Sequence, residues 1–219
     1  MPSAAVGDIR GPDRFRALWQ RCLIDGAVDD SLKIHQRLLD GYDEPQRHYH
    51  TLAHIEQCMA MFDQCSSLAR NPDALELAVW FHDVIFEPGN SDNEARSADL
   101  YLQFSDGVHD EATRGLVKRL IMATLHDGSS LEDSDACYMV DIDLSSFGLS
   151  WECFLQDSKH LRLENADLSD AEYYRRKASF QGRLLARERF FLSDYFAERL
   201  ETQARANLAR YLEMIQQRQ

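Results

Sequence analysis

Three short segments hold most of the residues in this chain that could bind a metal ion. The first is Arg47-His48-Tyr49-His50-Thr51-Leu52-Ala53-His54-Ile55, in which His50 and His54 are four residues apart. They face the same way if a helix begins by residue 50. The second is Trp80-Phe81-His82-Asp83-Val84-Ile85-Phe86. Here His82 sits on an apolar stripe, and Asp83 follows it at the carboxyl end of a helical segment, where a carboxylate meets the negative end of the helix dipole. Burying that carboxylate is costly unless a cation or several donors compensate. A metal ion would compensate; so would placing Asp83 at the surface, with its neighbouring histidine in a satisfied hydrogen bond. The third segment is Asp141-Ile142-Asp143-Leu144, after the apolar Tyr138-Met139-Val140. Two carboxylates so spaced in a turn can aim at one point. Taken alone, they fit better as caps for a turn at Ser145-Ser146.

These segments need rigid elements to hold them, and the apolar spacing is helical almost throughout. Phe15, Leu18, Trp19 and Leu23 predict a helix over about 13–24. A second runs over about 30–40, opened by Asp29 or Asp30 and closed by Gly41. After a loop at 42–50, Leu52, Ile55, Met59 and Phe62 predict a helix over about 51–69. His54, Cys58, Met61 and Cys65 flank its core stripe. Asn71-Pro72 starts a helix expected to reach about residue 85, before the break at Pro88-Gly89. Ser91-x-x-Glu94 is a capping-box pattern opening a helix to about 104. Helices over 110–125, with Gly128 as the stop, and over 150–165 follow, with an acidic loop at 127–135 and a short helix or turn at 136–148 between them. Ser169-x-x-Glu172 opens a long helix to about 189, and one or two more fill 193–217. The expectation is an all-α fold of nine to eleven helices without a significant sheet, in a single domain over 1–219. Its core would lie at about 47–165, flanked by helices at 13–41 and 169–217.

Composition narrows the function classes. Net charge is −13, which repels long nucleic acid as a partner. The charge is uneven: residues 1–159 carry 13 basic and 28 acidic side chains, residues 160–219 carry 11 and 9. No apolar run is long enough for a membrane span, and Met1 to Gly11 lacks a basic region followed by an apolar stretch. The five cysteines, Cys22, Cys58, Cys65, Cys137 and Cys153, are odd in number and lack a C-x-x-C pair. They are expected to be reduced thiols in a cytoplasmic protein, with Cys58 and Cys65 as small core residues.

In order along the chain, RHYHTLAHI (47–55), WFHDVIF (80–86), DNEARSA (92–98), DIDLSSFG (141–148) and ARANL (204–208) resemble the HD superfamily of metal-dependent phosphohydrolases, in its branch of predicted phosphohydrolases of about this length. That branch more often has tyrosine where this chain has Phe86. The resemblance implies an all-α HD-type helical bundle with one divalent ion between helices. Carried over, it makes His54, His82, Asp83 and Asp143 the ligands, with Asp141 a competitor for the last place and His50 beside the site. Two imidazoles and two carboxylates suit Mn²⁺, Co²⁺, Fe²⁺, Ni²⁺ or Mg²⁺, and without a nearby thiolate a closed structural zinc site is not expected. The implied reaction is metal-assisted hydrolysis of a nucleotide or another small phosphorylated molecule. In it Asp83 would also orient or deprotonate the water, and His126 would donate to phosphate or bind a second ion. Arg47, His50, Arg96 and Arg162 are the expected substrate-binding residues, with Lys118 and Arg119 as further options. Two other readings compete. One is a non-catalytic metal- or nucleotide-binding module on the same helices. The other is a di-iron oxygenase, which needs more histidines before the last aspartate than His109 and His126.

Overall fold

The computed structural model describes residues 8–126 and 133–216. The expectations for residues 1–7, for the loop over 127–132 and for the stop at Gly128 lie outside the described residues. Among those described there are ten α-helices, two 3-10 turns and no strand. The chain packs as two units, one up to Ile142 and one from Asp143 onward.

The first unit contains α1 (Asp13–Cys22), α2 (Ser31–Tyr42), α3 (Leu52–Cys65), α4 (Pro72–Phe81), α5 (Asn93–Ser105), α6 (Glu111–Ala123) and α7 (Ser134–Asp143, whose last residue opens the second unit). Helix α4 is its centre, packed against α1, α3, α5 and α6. Leu75, Leu77, Ala78, Val79, Trp80 and Phe81 are apolar on every side of the helix and all are fully buried, as a helix without a polar face must be. The one acidic residue among them, Glu76, is also buried and takes a 2.6 Å ion pair from Arg14 of α1. At the start of α4 the fully buried Asp135 accepts hydrogen bonds from the backbone N–H groups of Arg70 and Asn71. That supplies acceptors for donors a helix start leaves open.

The helix expected to reach about 189 ends at Leu185, and three other boundaries differ for a local reason. Helix α4 stops at Phe81 rather than near 85, and His82 and Asp83 form a turn. The carbonyls of Asp83 and Val84 are taken by Arg47, and that of Trp80 by the Tyr42 hydroxyl at 2.8 Å. Ser91 is not the cap of α5, whose cap position is Asp92. Helix α5 begins at Asn93, whose side chain accepts from the Glu87 N–H instead. Gly41 does not close α2; it lies inside the helix, where a Cβ would come within 2.9 Å of the Val84 carbonyl. That close approach is what requires glycine.

The second unit contains a 3-10 turn at Leu144–Gly148, then α8 (Trp151–Glu164), α9 (Asp170–Leu185) and α10 (Asp194–Gln216). The Ser169 hydroxyl accepts from the Glu172 N–H, so this expected cap forms. Phe147, Phe154, Phe190 and Tyr211 cluster by their rings. Asn207, nearly fully buried, donates to the carbonyls of Phe147 and Leu149 at 2.9 and 2.8 Å. The ARANL phrase thus ties α10 to the turn that follows Asp143. Asn207→Ala strands both carbonyls and is expected to cost about 1–3 kcal/mol in a denaturant titration.

Candidate metal centre

Helix α3 buries Leu52, His54, Ile55, Cys58, Met59, Phe62 and Cys65 along one stripe. His54 is on that stripe because Cys58 and Cys65, four and eleven residues later, share its helix face and are buried. The imidazole of His54 therefore points inward, toward the turn that ends α4.

That turn presents His82 and Asp83. The Nδ1 of His82 lies 3.0 Å from the Val79 carbonyl. A carbonyl only accepts, so Nδ1 carries a proton and Nε2 is the atom turned to the site, donating to Asp83 when the ring is charged and offering a lone pair when it is neutral. The Nε2 atoms of His82 and His54 are 3.4 Å apart. Asp83 Oδ2 lies 3.1 Å from His82 Nε2 and 3.5 Å from His54 Nε2. Burial pushes the Asp83 carboxyl up, but the charges on His82 and His50, the hydrogen bond to His82 and the charge on His54 overcome it. The group is held well below the ordinary carboxylate range. Asp83 is thus an anion in a nearly closed site.

Asp143, half-buried at the end of α7, completes the group. One ligand atom each from His54, Cys58, His82 and Asp143 lie within 4.8 Å of one another. Bonds of about 2.0–2.3 Å to one tetrahedral ion put neighbouring ligand atoms about 3.3–3.8 Å apart. The His54–His82 and His54–Asp83 separations fall in that range, and the shorter His82–Asp83 separation suits an octahedral edge. Two nitrogens and a carboxylate oxygen converging this closely can share one cation. The donor set therefore fits a divalent ion.

The other expected residues are placed as follows. Asp141 is fully buried two residues before Asp143 on the same helix. Next to burial itself, its charge is the main influence raising the Cys65 thiol, to about 12, and the Cys137 thiol. His50 stacks on Phe86 at 4.2 Å between ring centres and meets the His54 ring edge-on at 6.2 Å. Arg47 is buried, and at least four of its five N–H donors are used within the protein. Its Nε donates to Glu44, its Nη1 to the carbonyls of His50 and Asp83, and its Nη2 to the carbonyl of Val84. This corrects its expected role: Arg47 braces the His82–Asp83 turn against the first motif and leaves little to offer a phosphate. Arg96 is a surface residue paired with Glu87 at 2.7 Å and Asp92 at 3.7 Å. Arg162, in the second unit, pairs with Asp170 and donates to the carbonyls of Asn165 and Leu168, closing the end of α8. His126 adopts a left-handed φ of 50° beyond α6 and is not one of the four convergent residues.

Cys58 is what the sequence reading missed. It is buried, as expected of a small core residue, but it also stands among the candidate ligands, where no thiol was expected. Its Sγ lies 3.6 Å from His54 Nε2. The spacing of four from His54 carried that signal, since it puts both side chains on one helix face.

All five cysteines are free thiols. Among the described residues, no helix is long and apolar enough to cross a membrane. Comparison with protein-family models, with curated proteins and with solved structures gives no match.

Proposed function

We propose that this chain is a metal-dependent phosphohydrolase of the HD type, acting on a nucleotide or another small phosphorylated molecule. The observation that carries the reading is the convergence of His54 and His82 Nε2 with Asp83 Oδ2 within 3.1–3.5 Å, joined by Asp143 at the end of α7. His54, His82, Asp83 and Asp143 would hold the ion. A divalent ion so bound lowers the pKa of a coordinated water and offsets charge on a phosphoryl oxygen.

The chain's own residues divide the remaining work. The Val79 carbonyl fixes the His82 tautomer, which keeps the Nε2 lone pair aimed into the site. Arg47 holds the Asp83 and Val84 carbonyls, so the Asp83 side chain is presented from a fixed turn. Asp83, held as an anion, is the group able to accept a proton from a water at the site. His50 lies at the edge of the centre, where its ring can donate to a substrate oxygen.

One observation favours a second reading, a binding module without turnover. Arg47 and Arg96, the two expected phosphate ligands in the first unit, both have partners within the protein. A phosphate clamp would have to come from elsewhere.

The experiment that separates the two is metal analysis of the purified protein with a phosphatase screen over nucleotides and small phosphomonoesters, with and without chelator. Hydrolysis that chelator abolishes and added divalent metal restores supports the enzyme. A metal-loaded protein inert across the panel supports the binding module.

A further inference from the structure

We infer that Cys58 is a ligand of the metal centre and that its thiolate sets the metal preference, selecting Zn²⁺, Co²⁺ or Fe²⁺ over Mg²⁺ and Mn²⁺. The inference rests on the reading of this group as a metal centre and goes beyond it by assigning a fifth donor and a class of ion.

The geometry has three parts. Cys58 follows His54 by four residues on the buried stripe of α3, so both side chains leave the helix on the same face. Its Sγ is 3.6 Å from His54 Nε2 and 3.9 Å from His54 Nδ1, so it lies directly beside that imidazole. It also lies within 4.8 Å of the nearest ligand atoms of His82 and Asp143. The thiol is 1% exposed and reaches the Ile142 carbonyl at 3.9 Å. That is a long, weak contact even for sulfur. Ligation would replace this contact with a bond to the ion and release the thiol proton to solvent.

The consequence follows from ligand softness. Carboxylate and imidazole alone leave Mg²⁺ and Mn²⁺ in competition, whereas a thiolate favours the softer ions strongly. With His54, His82, Cys58 and Asp143 as one set, Asp83 becomes the donor beside it. Its Oδ2 lies 3.1 and 3.5 Å from the two imidazole nitrogens, near enough to bind the ion as a fifth ligand or to hold a water on it.

The test loads the purified full chain with Co²⁺ and records its electronic spectrum. Wild-type protein is expected to show a sulfur-to-cobalt charge-transfer band in the near ultraviolet, which imidazole and carboxylate ligands do not produce. Cys58→Ser is expected to lose that band while Cys65→Ser keeps it. In competition titrations, the Zn²⁺-over-Mn²⁺ preference of wild type is expected to fall by about tenfold or more in Cys58→Ser, an energy of about 1.4 kcal/mol. The wild-type spectrum needs no variant to fold. Co²⁺ bound without the band overturns the role of Cys58 and leaves the proposed function standing. A band that persists in Cys58→Ser also overturns it, because another thiol is then the ligand. A wild-type protein that binds no Co²⁺ at all overturns both the inference and the metal-centre reading beneath it.

Discussion

His82→Ala is expected to abolish divalent metal binding in equilibrium dialysis while leaving the helical circular dichroism in place. The imidazole is the hub of the group. Its Nε2 stands 3.4 Å from His54 Nε2 and 3.1 Å from Asp83 Oδ2, and its other nitrogen is fixed by the Val79 carbonyl. Truncation removes one ligand outright and the guide that orients the rest. It also removes the largest influence lowering the Asp83 pKa, so the carboxyl of the variant titrates higher than in wild type. NMR titration of Asp83 would record that rise in metal-free protein, independent of any activity. The helix survives because His82 is the residue just past α4, and the backbone N–H by which it donates to the Ala78 carbonyl is kept in alanine. If His82→Ala binds metal as wild type does, the two-histidine centre is wrong.

The sequence made the helices legible and the site only in part. Apolar residues at steps of three and four, together with Pro72 and the Ser169 cap, are local signals, and local signals survive into the fold. The end of α4 was not local. The carbonyls of Trp80 and Asp83, at and just beyond its end, are claimed by Tyr42 and Arg47, which stand 38 and 36 positions earlier in the chain. No reading of 80–86 alone could find them. The histidines were legible because His82 interrupts an apolar stripe, a costly placement that asks for a partner. Cys58 was not, because cysteine on a buried face reads equally well as a small apolar residue. Arg47 misled for the opposite reason. A guanidinium beside histidines suggests phosphate, yet a buried guanidinium with carbonyls in reach is equally satisfied by backbone.

The choice between the two aspartates of α7 is decided by where the helix ends. Read from sequence, a turn could have begun at Asp141 and sent either carboxylate toward the histidines. In the fold α7 runs through Asp143. Side chains two apart on a helix diverge by about 200° around its axis, so only one can face the centre. Asp143 is the one that reaches the His54–Cys58–His82 group. Asp141 is fully buried near Cys65 and Cys137, where its charge helps to keep both thiols protonated. Asp143→Asn is therefore expected to lower divalent-metal affinity by about a hundredfold or more, since it removes a charged ligand. Asp141→Asn is expected to stay within about tenfold of wild type, the lower end of what supporting residues around a metal contribute. Asp141→Asn should instead lower the thiol pKa of Cys65, because the nearby negative charge that disfavours a thiolate is gone. Competition titrations with a chromogenic chelator give both affinities, and a thiol-reactivity profile against pH gives the third value. Equal losses in the two variants would mean that α7 does not hold its register through Asp143, and a larger loss at Asp141 would make that buried carboxylate the ligand.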